Sequence, residues 1–136
     1  MQIRDAARDD LDAIAAIQTS SPEASAWNPA DYLNYDCRVT VIDDHVAGFL
    51  VSRAVAEGER EILNVAVAPA DRRRAIGRAL VENELSRGRG TWFLEVRESN
   101  RAAISLYLSM GFEIVGTRPD YYRDPCEAAI VMRFFS

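Results

Sequence analysis

The residues able to do chemistry cluster between Asn64 and Phe112. In order, this block holds an apolar strand, an arginine-rich turn (Arg72, Arg73, Arg74, Ala75, Ile76, Gly77) opening a helix, a second strand with one acid (Glu95), and a helix ending at Gly111. A strand feeding an Arg/Gly turn at a helix start suits a phosphate, because unpaired helix N–H groups and the helix dipole point at the ligand. Cations at a helix N-terminus oppose the dipole by about 0.3–1 kcal/mol each unless an anion sits there. The four arginines at 72, 73, 74 and 78 are either a solvated helix start or, as their position favours, the partners of an anion, and the block suggests a phosphorylated cofactor beside a titratable group.

Glu95 interrupts Trp92, Phe93, Leu94 and Val96 in a strand that flanking helices should cover. An ionised carboxylate there is costly unless it meets water, a partner or a cleft. Alternation puts Phe93, Glu95 and Arg97 on one face, which leaves two readings: a Glu95–Arg97 ion pair, or a general base that takes a proton from an attacking ammonium. Tyr107 lies among Ile104, Leu108 and Met110 on the following helix, the usual setting of a core tyrosine whose hydroxyl is satisfied at the edge. Asn100 starts that helix as a cap.

The elements that must hold these residues follow from periodicity. Gln2 to Ala6 forms a short strand, and Arg8 to Gln18 carries Leu11, Ile14, Ala15 and Ile17 at helical spacing behind Asp9 and Asp10. Ser20 to Ala26 is a small, polar loop with Pro22. Asn28 then caps a second short helix begun by Pro29 and running toward Tyr35. Val39 to Ile42 and Val46 to Arg53 flank Asp43-Asp44-His45, a tight hairpin turn that leaves His45 exposed. Glu61 to Ala68, Thr91 to Arg97, Phe112 to Gly116 and Ala128 to Phe134 are strands, and Ile76 to Arg87 and Asn100 to Met110 are helices. Alternating strands and helices imply a parallel central pair within a mixed sheet.

Composition narrows the class. At 136 residues and 49% hydrophobic content, the chain reads as one domain over 1–136 with a proper core. A net charge of −5 with scattered acids and bases argues against direct nucleic-acid binding and leaves no basic face for a membrane. No apolar run approaches the roughly 20 residues of a membrane span, and the first residues lack a signal-peptide core, so a soluble cytoplasmic protein is expected. Cys37 and Cys126 form no CxxC or Cys/His cluster, so neither a disulfide framework nor a metal site is indicated. With His45 in a turn, no Ser/His/Asp or Cys/His set supports hydrolase chemistry.

The turn resembles motif A of the GNAT acetyltransferases, Q/R-x-x-G-x-G/A. The run Leu94-Glu95-Val96-Arg97-Glu98-Ser99-Asn100, with Leu106-Tyr107, Gly111-Phe112, Asp120-Tyr121-Tyr122 and Glu127 to Met132, resembles the bacterial ribosomal-protein-alanine N-acetyltransferases. The likeness is good from about Asn64 to Met132 and weaker before it. It implies an α/β fold of the α+β type: a mixed, mostly antiparallel sheet of about six to seven strands with a central parallel pair and about four helices on both faces. It further implies that backbone at Val65, Ala66 and Val67 pairs with the pantetheine arm of acetyl-CoA (coenzyme A). The turn from Arg72 and Arg73 through Arg74, Ala75, Ile76, Gly77 and Arg78 would cradle the pyrophosphate, and Asn100 would bond the cofactor. Glu95 becomes general base and Tyr107 general acid toward the coenzyme A thiolate, while Trp27, Tyr121, Tyr122 and Glu127 shape the acceptor site. Ala75 departs from the motif, which has glycine there: helical φ at 75 preserves cofactor binding, and positive φ puts affinity in question.

The pKa of the amine bears on the acceptor and is compatible with a protein N-terminus. A protein α-amine titrates near about 7.7–8 and a lysine ε-amine near about 10.4, so deprotonating lysine at neutral pH costs about 3.5 kcal/mol more. A lone carboxylate base suits a protein or peptide N-terminus, and the acidic net charge suits a basic acceptor such as a ribosomal protein. A polyamine or aminoglycoside-like amine is the alternative acceptor, and a non-catalytic acyl-CoA-binding module is a second alternative.

Overall fold

Among the described residues, seven strands and three α-helices follow the periodicity of the sequence, with ends shifted by a few residues. The structure is a computed structural model that describes residues 1–21, 27–123 and 126–136. Most of the expected Ser20–Ala26 loop, residues 22–26, lies outside the described residues. The elements are β1 (Gln2–Asp5), α1 (Leu11–Thr19), β2 (Asp36–Ile42), β3 (His45–Ala56), β4 (Glu59–Val67), α2 (Ile76–Leu85), β5 (Thr91–Arg97), α3 (Arg101–Ser109), β6 (Glu113–Tyr122) and β7 (Glu127–Phe135). Short 3-10 segments lie at Arg8–Asp10, Pro29–Asn34 and Pro69–Asp71. The sheet order is β1-β2-β3-β4-β5-β7-β6, with β4 and β5 as the parallel pair. No helix among the described residues is long and apolar enough to cross a membrane.

Contacts divide the chain into two units, Met1–Arg53 with Leu63–Arg87, and Ala54–Ile62 with Gly88–Ser136. In the first, Ile14 and Ile17 of α1 pack with Tyr32, Val39, Phe49, Val51 and Ala66. The Asp10 carboxylate accepts from the Ala7 amide at 2.7 Å and from both Arg4 terminal nitrogens at 2.8 and 3.0 Å. Its pKa is lowered, chiefly by the Arg4 hydrogen bonds. At the far end of α1, Gln18 accepts from the Tyr32 hydroxyl and donates to the Trp27 carbonyl, while the Asn64 amide donates to Tyr32 at 3.1 Å. Asn28 does cap the segment after it, accepting from the Ala30 amide at 3.1 Å, but that segment is 3-10 rather than α-helical. Proline at its first position fixes φ but removes a donor.

The β2–β3 hairpin corrects the expected place of His45. Only Asp43 and Asp44 form the turn, with φ of 48° and 64°, and Ile42 pairs with His45. Two consecutive positive φ values suit a two-residue hairpin whose twist matches its strands. His45 is thus the first residue of β3, and its Nε2 lies 2.9 Å from the buried Asp71 carboxylate. Further along β3, a side chain at Gly48 would meet the Ala66 carbonyl oxygen at 3.0 Å and Ile76 at 3.1 Å, so glycine lets α2 pack onto the strand.

In the second unit, the parallel ladder runs from Glu59↔Thr91 to Ile62↔Leu94, and β7 pairs along all of β5 from Thr91↔Phe135 to Arg97↔Ala129. α3 opens with Asn100 accepting from the Ala103 amide at 3.2 Å. It closes at Gly111, φ 102°, with Phe112 N donating to Tyr107 O at 3.0 Å and Gly111 N to Leu108 O at 3.2 Å. This paired closure is a Schellman cap, and its customary apolar contact is the Tyr107–Phe112 ring pair at 5.5 Å.

α2 begins against strain. Ala75, its cap residue, has φ 58° and ψ 26°, and Arg73 has φ 68°. The sequence left open whether residue 75 is helical, and the structure places it in the left-handed region, where a Cβ costs about 1–2 kcal/mol. Glycine removes that strain at about 0.5–1 kcal/mol of added chain entropy. Ala75→Gly is therefore expected to raise Tm by about 2–4 °C, as read by calorimetry; a lower Tm would contradict a strained Ala75.

A second prediction follows from burial. It pushes Tyr32, Cys37, Tyr107 and Tyr122 each up to about 12, against about 10 for a free phenol and about 8.5 for a thiol. The unfolded chain releases these protons first, so their contribution is intact below the unfolded values and is lost as pH rises toward the folded ones. The urea midpoint should hold steady up to about pH 8.5 and then fall through about pH 11. A flat midpoint across that range would show these groups to be solvated.

Candidate active site

Glu95 is placed by β5. Its neighbours Leu94 and Val96 are buried, and its own side chain, on the opposite side of the alternation, is 14% exposed. The parallel ladder ends one residue before it. Across β7 it is level with Val131, and Val131 is level with Gly116 of β6. The next pairs on this face are Arg97, Ala129 and Arg118. Between Arg118 and Tyr122 the β6–β7 register shifts, and Asp120 there takes φ 54°. This irregularity brings three β6 side chains to β5. The Arg118 guanidinium lies 3.4 Å from the Glu95 carboxylate. The Tyr121 pKa is raised, first by its interaction with the Glu95 carboxylate and then by partial burial. Tyr122 is pushed up to about 12, first by burial and then by the Glu95 charge.

Arg97 has a different partner from the one alternation suggested. Its guanidinium meets Glu127 at 3.1 Å, donates to the Arg123 carbonyl at 3.3 Å and stacks 4.3 Å over the Tyr122 ring. Glu127 also accepts from the Ser99 amide and hydroxyl, each at 3.0 Å. Desolvation acts to raise the Glu127 pKa, but the Ser99 bonds and Arg97 outweigh it, so the value is lowered. Glu127, expected at the acceptor site, thus ties the start of β7 to the end of β5. Tyr121 is exposed at 47% and stacks edge-on to Tyr122 at 5.1 Å.

Tyr107 sits in α3 with its ring 7% exposed and its carbonyl inside the helix cap. Burial alone sets its pKa of about 12, so the phenol keeps its proton at any working pH. In the first unit, Trp27 is 37% exposed and its carbonyl is held by Gln18. Val65 and Val67 are half-buried around buried Ala66 in β4.

The turn before α2 has features of an anion site in its backbone. α2 has no side-chain cap and no acid in its first turn, and its first helical bond is Ala79 N to Ala75 O at 3.0 Å. The amides of Ile76, Gly77 and Arg78 precede that bond and have no partner within the helix. The positive φ at Arg73 and Ala75 turns successive amides to one side, the geometry of an anion-binding nest. The arginine side chains are less free than the sequence suggested. Arg72 donates to Val67 O, Ser20 O and Ser21 Oγ at 3.2–3.3 Å, Arg74 lies 3.7 Å from Asp71, and Arg78 lies 3.8 Å from Glu82. These residues fit a diphosphate through main-chain donors. Among the described residues, no group of three or more His, Cys, Asp or Glu side chains is placed to hold a metal ion.

Sequence reasoning missed Arg118, Ser99 and the Gln18–Tyr32–Asn64 network. The one local signal was Pro119-Asp120 inside a strand, a pair that marks an interrupted ladder.

Comparison with known proteins gives a consistent result. The family model described as "Acetyltransferase (GNAT) family" matches residues 3–112. The chain is 43% identical over 84 residues to the "[Ribosomal protein bS18]-alanine N-acetyltransferase" of Salmonella typhimurium, covering 59% of this chain and 56% of that protein. It is 39% identical over 107 residues to the Escherichia coli K12 protein of the same name, covering 74% of this chain and 70% of that one. The crystal structure of the E. coli ribosomal-protein-S18-alanine N-acetyltransferase superposes with a TM-score of 0.84 at 33% identity, over 98% of this chain and 92% of that one. The match spans the phosphate-type turn, β5 with Glu95 and α3 with Tyr107, and the chain belongs to the GNAT acetyltransferase family.

Proposed function

We propose that this chain acts as one domain over residues 1–136, in the cytoplasm, as an acetyl-CoA-dependent N-acetyltransferase of protein N-terminal α-amines, with a ribosomal-protein N-terminus as acceptor. The observation that carries this reading is the mostly buried Glu95 carboxylate, paired with Arg118 just past the end of the parallel ladder. The likeness to the bS18-alanine enzymes supports the acceptor class.

When bound, acetyl-CoA supplies an acetyl group already activated as a thioester. Val65, Ala66 and Val67 hold its pantetheine arm through main-chain groups, and the amides from Arg73 to Arg78 hold its diphosphate. Glu95 takes the proton from the incoming ammonium, directly or through water. Tyr107 keeps its phenolic proton for the departing sulfur. Tyr121 and Trp27 offer exposed aromatic surface to the acceptor chain, while Tyr122 and Glu127 brace the hairpin that carries Tyr121. The net charge of −5 draws in a basic acceptor, an attraction that weakens with salt.

The test is acetyl transfer to a short peptide with a free N-terminus and blocked lysines. Glu95→Gln should lower kcat by about 10²–10⁴ while coenzyme A binding by calorimetry is retained. Full activity in that variant would remove Glu95 as the base, and transfer to polyamines alone would replace the acceptor class. Tyr107→Phe should lower kcat to a similar degree. Because burial holds the Tyr107 phenol at about 12, the wild-type rate should show no alkaline limb from this group below about pH 10.

A further inference from the structure

Arg118 has no part in the scheme above beyond its contact with Glu95, yet its placement is built. It shares a face of the sheet with Arg97 and Ala129, one pair along from Glu95, Val131 and Gly116. Gly116 adds no side chain beside the path, and a Cβ there would meet nothing within 4 Å. The register shift that follows Arg118 lets its guanidinium reach back to 3.4 Å from Glu95, while Tyr121 lies under it at 5.6 Å. Arg118 is 59% exposed whereas Glu95 is 14% exposed, so the cation sits on the solvent side of the carboxylate.

We propose that Arg118 is a specificity-determining residue that competes with cationic amines for Glu95 and so selects acceptors with an appreciable neutral fraction near pH 7. This rests on Glu95 being the base. An ammonium approaching Glu95 must displace or tolerate a fixed positive charge. An α-amine, with a pKa of about 7.7–8, is about a tenth neutral at pH 7, whereas an amine with a pKa near 10.4 is less than about a thousandth neutral. A polyamine also carries further charges into the same field. Arg118 thus favours the α-amine. The other groups around Glu95 are Tyr121 and Tyr122 on β6, Arg97 on β5, Glu127 on β7 and Glu61 on β4, which acts on Tyr121. Arg97 pairs with Glu127, and Arg118 is a cation ion-paired to Glu95.

The experiment compares wild type, Arg118→Gln and Arg118→Lys on a lysine-blocked peptide and on spermidine, each as kcat/KM against pH. Arg118→Gln should raise the spermidine-to-peptide ratio about fivefold or more. Arg118→Lys, which keeps the charge, should stay near the wild-type ratio. Coenzyme A titration of all three should coincide, confirming intact folding. An unchanged ratio in Arg118→Gln overturns the proposal. Failure of the underlying reading looks different, since Glu95→Gln would then retain activity, whereas failure of this inference alone leaves Glu95→Gln inactive and the Arg118→Gln ratio unmoved.

Discussion

An ionised carboxylate in a strand between buried Leu94 and Val96 must be compensated, and the arrangement of the second unit follows from how this is done. Left alone, such a group costs several kcal/mol. The cation of β5 itself, Arg97, pairs with Glu127. Compensation comes from β6, which lies beyond β7 in the sheet order. The β6–β7 hairpin can reach Glu95 only because its register breaks after Arg118, where Pro119 removes a ladder donor and Asp120 adopts a left-handed turn. A regular hairpin would have run Arg118 and Tyr121 straight along the edge.

The two ion pairs on this face differ in what they can do. Arg97 and Glu127 are both mostly buried, at 11% and 16%, and Glu127 is further fixed by two bonds from Ser99. Removing one member of a buried pair costs about 3–5 kcal/mol because the other charge is stranded. That pair is scaffold, and the Tyr122 ring packed against Arg97 shares its rigidity. Arg118 is exposed, and exposed pairs contribute about 0–1 kcal/mol. It can therefore leave Glu95 without unfolding the hairpin.

In the first unit the same economy is made with backbone instead of charge. Ala75 and Arg73 adopt positive φ just before α2, and the helix starts without a capping side chain or a first-turn acid. A strained start with amides left unpaired is unfavourable in isolation, so the surrounding residues must hold it. Arg72 ties the turn to the end of α1 and to β4, and the buried Asp71, between His45 and Arg74, fixes the residue that enters it. Backbone strain kept in place by such ties is typical of a preorganised ligand site.

What could be read from the sequence was what short-range physics encodes. The period-2 alternation gave β5 its limits at Thr91 and Arg97, and the caps at Asn28, Asn100 and Gly111 were visible as residue types at helix ends. β6 was expected to stop at Gly116 but runs to Tyr122, because pairing with β7 sustains a strand through a glycine and a proline that local propensity counts as breaks. Glu95 stood out through its cost in a covered strand, but its partner did not. Arg97 was the nearest cation of suitable parity, whereas Arg118 lies beyond a helix and becomes a neighbour only after β7 has inserted beside β5. Choosing between them requires the strand order and the position of the register shift, both of which are set by tertiary pairing. Likewise, the arginines of the turn stood out by their number, while the structure pairs Arg72, Arg74 and Arg78 with groups of the protein and redirects main-chain amides through positive φ at residues 73 and 75. Residue type marked where charge would matter, and register and backbone sign decided which groups meet.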